Sequence, residues 1–220
     1  LDKNFMPGGL ITRGEMADLV VKAVGYGVDF ETTGGEPVFS DVEPSYIYYS
    51  SIKACKELEI VNGDNNNCFY PEDKVTVPEM LTVMINALGY TMYAQAQGGY
   101  PAGYYAVAKK SGISSEINLN KEYVTSEMAA KIIYNSIFAD SVDLVSISQD
   151  GVSLEINNNK NFLSERLGIF EYDAIVIDDG YTSLYGDSVE DSERIVIEEV
   201  KSGMRITVFS NGQDYSDYLG

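Results

Sequence analysis

Three helix-start signals of the same kind recur within residues 1–142. In each, an apolar residue precedes a threonine, and a glutamate follows within three positions; the threonines are Thr12, Thr76 and Thr125. A threonine at a helix N-cap accepts a hydrogen bond from the first turn, and Glu15 and Glu79 can complete a capping box. A unit that recurs in this way buries its apolar stripe against its neighbours. The pattern therefore predicts repeated helical units around a shared core.

The residues after each threonine support this prediction. Apolar pairs recur with helical spacing, at Leu19-Val20, Val83-Met84 and Ile132-Ile133. Gly25 and Gly89 are placed to end the first two helices. A second helix is predicted before the capped one, over about residues 46–58 in the middle unit and about residues 103–111 in the third.

The remainder of the chain has a different pattern, of short β-type runs bounded by glycine, asparagine or aspartate. The runs are Leu144–Ser148, Val152–Ile156, Ala174–Ile177, Arg194–Val200 and Arg205–Phe209. Phe162 to Ile169 indicate a short helix that ends at Gly168. We therefore predict an α+β chain with a boundary near residues 140–145. The predicted domains are helical repeats over 1–142 (a partial first repeat over 1–28, then 37–92 and 93–142) and a small, mostly β domain over 143–220.

Composition excludes several classes of function. The chain has no histidine, which removes Ser-His-Asp and Cys-His catalysis and every histidine-ligated metal site. A net charge of −19 makes nucleic acid a poor partner. No apolar run is long enough to span a membrane. No motif marks a catalytic pair, a cofactor site or a metal site, so we predict no enzyme activity, no cofactor and no metal. Asp178-Asp179-Gly180 with Asp187 leave a calcium site open, although a hairpin turn explains them more simply.

The two cysteines, Cys55 and Cys68, are too few for a structural zinc site. They could form one disulfide if the chain is extracellular, or remain free thiols in or near the core. The chain starts at Leu1 and stops abruptly after Leu219-Gly220, which suggests a piece of a longer protein whose β domain is truncated at its C-terminus.

The ordered motifs of the helical half resemble S-layer homology repeats, whose pattern runs roughly F-x-D-V, G-I-x-x-G, F-x-P and I-T-R-A-E-x-A. The middle unit carries Phe39-Ser40-Asp41-Val42, Ile60-Val61-Asn62-Gly63, Phe69-Tyr70-Pro71 and Thr76-x-x-Glu79. The first unit carries Phe5-x-Pro7 and Ile11-Thr12-Arg13-Gly14-Glu15-Met16-Ala17. The third carries Gly99-Tyr100-Pro101-Ala102-Gly103-Tyr104 and Tyr134-Asn135 and is similar to the divergent third repeat of clostridial surface proteins.

The resemblance implies a pseudo-threefold unit built around three helices, in a secreted protein held at a Gram-positive cell wall or S-layer. It further implies binding to a secondary wall polysaccharide, often pyruvylated, and partners among other S-layer subunits. Arg13, Asp41, Tyr46 and Gly63 are the glycan-binding candidates on this basis. A carboxylate-bearing sugar requires a cation, and arginine meets a carboxylate with paired N–H donors.

Each candidate also has a simpler interpretation. Arg13 could be a solvated first-turn residue, Asp41 a turn cap, Tyr46 a surface packing residue and Gly63 a positive-φ turn. The family arginine is replaced by Val77 and Ser126 in the other units, which leaves one groove that can join Arg13 to Asp41. Ile47 stands at the family's tryptophan position.

Two alternatives to glycan anchoring therefore remain. The first is a structural S-layer module that makes protein–protein contacts and has lost glycan binding. The second is the anchor of a larger surface enzyme whose catalytic domain lies outside this chain.

Overall fold

The computed structural model describes residues 6–25, 36–148, 151–186, 191 and 193–220, and it divides into two units, Leu1–Ile169 and Phe170–Gly220. The first unit contains six described α-helices: α1 Arg13–Ala23, α2 Tyr49–Glu57, α3 Val77–Ala87, α4 Thr91–Ala96, α5 Ala102–Lys110 and α6 Ser126–Ile137. A two-stranded antiparallel hairpin follows, β1 Asp140–Ser148 and β2 Gly151–Asn161, with a short π-helical segment at Leu163–Leu167. The α+β class expected from the sequence is confirmed.

The three threonines cap helices as the sequence predicts. Thr12 and Thr76 form capping boxes with the glutamates three residues later, and the Thr125 hydroxyl accepts a hydrogen bond from Met128 N. Gly25 and Gly89 both have positive φ after α1 and α3, as a C-terminal stop requires.

A closed cycle of backbone hydrogen bonds joins the three N-caps. Ile11 N donates to Val124 O (3.2 Å), Val124 N to Val75 O (2.9 Å), and Val75 N to Ile11 O (3.2 Å). A second set of three bonds, whose donors lie two residues further on, runs around the units in the opposite direction: Arg13 N donates to Asp73 O, Val77 N to Glu122 O and Ser126 N to Gly9 O. Each capped helix therefore begins against the loop that precedes another capped helix.

One apolar core lies beneath these cycles. Met16, Val20, Met80, Met84 and Ile132 are almost fully buried, one face from each of the three capped helices. Burying such a side chain contributes about 1.5–3 kcal/mol, so the helical stripe is the main source of stability in this unit.

The hairpin belongs to the first unit, which runs past residues 140–145, where the sequence predicts a domain boundary. Strand β1 starts directly after α6, and Tyr90 donates its hydroxyl proton to Asp140 O at 2.8 Å. Phe162 N donates to Ala139 O, and the Phe162 ring is buried in the helical core. Because these contacts join the hairpin to the helices, the first unit continues to Ile169. The finer repeat limits at 1–28, 37–92 and 93–142 stay a prediction, and Phe5 lies outside the described residues.

The second unit is a three-stranded antiparallel sheet, with strands β3 Ala174–Asp178, β4 Arg194–Glu199 and β5 Arg205–Phe209 in that order. Leu219 adds a parallel bridge to Val176. The Asp178 and Asp179 carboxylates accept bonds from backbone N–H groups of their own turn, which supports the hairpin-turn interpretation of these residues. Asp187, the other residue of the calcium alternative, lies outside the described residues.

Within the described ranges, no helix has the length and apolarity needed to cross a membrane.

Candidate functional site

Arg13 lies in a groove of about 710 Å³ between the first turns of α1 and α3 and the loop before α3. The lining residues are Arg13, Asn62, Gly63, Asp64, Cys68, Tyr70, Asp73, Lys74, Thr76, Glu79 and Tyr123. We call this space the Arg13 groove and the segment 62–74 the groove loop. The N-cap cycles position its walls, because Arg13 N bonds directly to Asp73 O of the groove loop.

Arg13 is held on three sides. Its Nε donates to Phe69 O at 2.7 Å, its Nη1 donates to Glu79 Oε1 at 2.7 Å, and its guanidinium carbon lies 4.7 Å from the centre of the Phe69 ring. Its side chain is only 17% exposed, so the solvated-residue interpretation does not hold. The guanidinium keeps further N–H donors that these bonds do not use.

Asp41 lies behind the groove and organises its loop. One carboxylate oxygen accepts from Phe69 N at 2.8 Å and the other from Tyr70 N at 2.6 Å. Tyr70 has a φ of 57°, in the left-handed region that side chains other than glycine rarely adopt. The paired bonds therefore hold a backbone turn, as the turn-cap interpretation of Asp41 predicts. Phe69 links the two residues, because its N–H donates to the Asp41 carboxylate and its C=O accepts from Arg13 Nε.

Tyr70 and Asp64 form the outer edge of the groove loop. The Tyr70 hydroxyl donates to Asp64 Oδ2 at 2.9 Å, and this bond raises the pKa of Tyr70 to about 12. The Cys68 N–H and then the Tyr70 hydroxyl hold the pKa of Asp64 below its ordinary value. At neutral pH the edge is thus a neutral phenol beside a carboxylate.

Tyr46 does not line the Arg13 groove. Its hydroxyl donates to Glu72 Oε1 at 2.7 Å, and its ring meets the Tyr48 ring edge-on at 5.9 Å. Burial and the Glu72 bond raise the Tyr46 pKa. A Cβ on Gly14 would come within 2.8 Å of the Tyr46 hydroxyl oxygen. Tyr46 therefore packs over Gly14, where the family motif has alanine.

Gly63 lines the groove for a reason other than the one predicted. It is not among the positive-φ residues of the described chain. A Cβ at this position would lie 2.9 Å from two atoms of the Phe39 ring and 3.2 Å from Cys68 O. The glycine is required because the backbone passes directly over the Phe39 ring, which itself stacks on Phe69.

The two cysteines are not bonded to each other. Cys55 is buried in α2 and its Sγ donates to Ala17 O, while Cys68 is half-buried in the groove loop and its Sγ donates to Asn66 O. Burial, and then the charge of Asp18, raise the pKa of the Cys55 thiol to about 12. Both cysteines are therefore free thiols in this structure.

Thiol labelling checks this arrangement. With a large excess of Ellman's reagent and no reductant, we expect Cys68 to react in the folded protein and Cys55 to react only in denaturant, because the thiolate is the reacting form and Cys55 is buried. Cys68→Ser serves as the control and leaves a single slow thiol. Absence of any reactive thiol in denaturant would contradict the structure.

Several groove residues escape prediction from the sequence alone. Glu79 is recognised as a cap, but its bond to Arg13 is a contact across 66 positions. Tyr70 and Tyr123 are 45% and 37% exposed at the groove, and Lys74 adds a second cation. A bond with Glu122 raises the pKa of Tyr123. Tyr70 stands inside the F-x-P motif, which is the signal that could have drawn attention to it.

The capped helices and the groove loop define the class of the domain. Residues 38–76, which include Asp41, Gly63, Tyr70 and Thr76, match the family model of the S-layer homology domain. This part of the helical unit is therefore similar to an S-layer homology domain.

Two bacterial relatives extend this result. The chain is 26% identical over 140 residues to the "Middle cell wall protein" of Brevibacillus brevis, a match that covers 64% of this chain and 13% of the relative. It is 28% identical over 108 residues to the "Surface layer protein" of Brevibacillus choshinensis, covering 49% of this chain and 10% of that protein. The chain thus spans a small part of these relatives, whose names are not those of enzymes. Together the matches indicate a location at the cell surface.

Proposed function

We propose that this chain is a non-covalent anchoring module of a secreted surface protein and that the Arg13 groove binds a cell-wall polysaccharide. The observation that carries the proposal is a fixed arginine on the Phe69 ring, in a groove of about 710 Å³ edged by exposed tyrosines. The module itself has no catalytic role, and any enzyme activity would belong to parts of a longer protein outside this chain.

The groove offers both kinds of contact that a sugar uses. The rings of Tyr70 and Tyr123 provide apolar faces against which a pyranose ring can pack. The Asn62 amide, the Thr76 hydroxyl and the lining carboxylates provide polar groups for sugar hydroxyls. Arg13 can donate further hydrogen bonds from a position that packing already fixes, which lowers the entropy lost on binding.

The equivalent positions of the other two helices favour a single groove of this type. Val77 and Ser126 follow their N-caps as Arg13 follows Thr12, and their backbone N–H groups make the matching bonds to Glu122 and Gly9. Val77 is buried and carries no charge. Of these three equivalent positions, Arg13 is therefore the one whose side chain carries a positive charge that could bond to a sugar.

Arg13→Ala tests the proposal in a pull-down with purified Gram-positive sacculi, before and after the secondary polysaccharide is stripped. We expect wild-type sedimentation to require the polysaccharide and the variant to bind about 10-fold more weakly, since a charge-assisted bond is worth about 1.5–3 kcal/mol. Lys22→Ala is the matched control. It removes one cation from the last turn of the same helix, where Lys22 bonds only to Asp18 among the contacts of the described chain.

Thermal unfolding of each variant separates lost binding from lost folding. Equal binding by wild type and a folded Arg13→Ala variant would contradict a role for the groove. Absence of sedimentation with any sacculi would favour the structural alternative, in which the module joins S-layer subunits and binds no glycan.

A further inference from the structure

One face of the sheet in the second unit carries an apolar groove of about 640 Å³. Its floor consists of aliphatic side chains from all three strands, and four aromatic residues complete its lining. The lining residues are Phe170, Tyr172, Ala174, Val176, Ile195, Ile197, Ile206, Val208, Tyr215 and Tyr218. We call this space the sheet groove.

The register of the sheet brings the aliphatic side chains together. Ile197 is the cross-strand partner of both Val176 and Ile206, and Ile195 is the partner of Val208. Because cross-strand partners lie on the same face of a sheet, these five side chains form a continuous apolar floor.

The two faces of this sheet differ in character. On the face opposite to the groove, Arg205 Nε donates to Glu198 Oε2 at 2.9 Å. An antiparallel sheet with one apolar face usually packs that face against a second layer. In the described part of the chain, Phe170 and Tyr218 at the groove are instead 61% and 68% exposed. The sheet groove is therefore an apolar surface that a partner could cover.

The surroundings of the sheet groove are acidic. Four exposed carboxylates are each adjacent in sequence to an aromatic residue of the lining: Glu171, Asp173, Asp214 and Asp217. Within the described ranges, the ion pairs include none of the four. Residues 170–220 contain 12 acidic and 3 basic side chains, so the field around the groove attracts positive charge.

We propose that the sheet groove docks a basic peptide segment of a partner protein, one that combines aliphatic side chains with lysine or arginine. The aliphatic side chains would displace water from the floor of the groove. The cations would lie near the four carboxylates, with their apolar stems against the exposed rings of Phe170 and Tyr218. A second copy of this chain suits the groove less well, because two grooves face to face would oppose the same negative charges.

Matched synthetic peptides test the proposal against the whole chain. All carry one tryptophan, and because the protein has none, the tryptophan emission reports the environment of the peptide alone. The first peptide combines leucine with lysine, the second has glutamate in place of each lysine, and the third has serine in place of each leucine. We expect the first to bind at least about 10-fold more tightly than either of the others, and to bind more weakly at high salt.

Tyr218→Ser locates the binding surface, since general attraction to an acidic protein does not depend on this ring. It should weaken binding of the lysine–leucine peptide by about fivefold, as truncation of an aromatic contact residue does. Phe209→Ser is the matched control. Phe209 is 80% exposed and follows Val208 on β5, so its side chain points to the opposite face, and its loss should change the affinity by less than about twofold.

A charge variant tests the acidic surroundings separately. Asp214→Asn combined with Asp217→Asn should weaken binding of the lysine–leucine peptide by about threefold and reduce its salt dependence. Glu57→Gln combined with Glu127→Gln removes the same number of exposed charges from α2 and α6 and should have a smaller effect.

Thermal unfolding shows that each variant is folded before its affinity is compared. Equal binding of the three peptides, or an unchanged affinity in folded Tyr218→Ser, overturns the proposal. Absence of peptide binding also overturns it, and a concentration-dependent dimer that Tyr218→Ser abolishes would then identify a second copy as the occupant. The proposal does not involve the Arg13 groove, so none of these outcomes bears on polysaccharide binding.

Discussion

Replacing Phe69 with alanine should lower the free energy of unfolding by about 3–5 kcal/mol, the range found for truncating a buried phenylalanine. Phe69 is fully buried, stacks on Phe39 with ring centres 5.3 Å apart, and supports the Arg13 guanidinium from below. Urea unfolding followed by circular dichroism measures the change as a shift in midpoint at constant slope.

The same substitution should weaken sacculus binding beyond its effect on stability. The Phe69 backbone bonds to both Arg13 and Asp41. The cavity left by the missing ring should therefore loosen both of these bonds, which hold the groove loop. Ile47→Ala is the control, because Ile47 is 81% exposed and its loss should change stability by no more than about 0.5 kcal/mol. A Phe69→Ala variant that unfolds like wild type would show that the stacked pair is not part of the core.

Local signals in the sequence predicted the helical unit well, because capping is a short-range interaction. Thr12 and Glu15 are three residues apart, and the two bonds of the capping box need no partner elsewhere in the chain. The apolar stripe after each cap can likewise be predicted from helical periodicity within a short segment. The sequence does not predict the short helix α4, because no side chain caps its start.

The groove was predicted less completely, because its geometry depends on contacts between distant residues. Family resemblance drew attention to Arg13 and Gly63, and both line the groove. It also grouped Asp41 and Tyr46 with them. In the structure, Asp41 holds the groove loop through backbone N–H groups, and Tyr46 packs on Gly14. Nothing local to Glu79 indicates that a capping residue also neutralises an arginine of another helix.

The extent of the first unit depends on distant contacts in a similar way. A change from helical to β-type pattern near residue 140 predicts the end of a domain, but a hairpin can pack on helices of the same unit. The decisive contacts are those of Tyr90 with Asp140 and of Phe162 with Ala139, each between residues more than 20 positions apart. Patterning identifies such elements, and packing decides which unit they join.

Gly103→Ala should destabilise the helical unit by about 2 kcal/mol, against the direction that helix propensity predicts. Alanine is favoured over glycine inside a helix by about 1 kcal/mol, and Gly103 lies in α5. However, a Cβ at this position would lie 2.1 Å from Ala94 O, a backbone atom of α4 that accepts a bond from Gly99 N. Overpacking of this kind typically costs about 1–3 kcal/mol and occasionally more. Because the neighbour is a backbone atom, we expect this clash to cost about 3 kcal/mol, the upper end of that range. The helix-propensity gain of about 1 kcal/mol then leaves a net loss of about 2 kcal/mol.

The sign of the measured change is therefore the test. Gly8→Ala is the matched control, since nothing lies within 4 Å of a Cβ at Gly8, and alanine there should cost no stability. A Gly103→Ala variant with a higher urea midpoint than wild type would mean that α4 and α5 do not cross at this distance. A lower midpoint with unchanged binding to sacculi would establish that this crossing supports the fold independently of the Arg13 groove, which lies against α1 and α3.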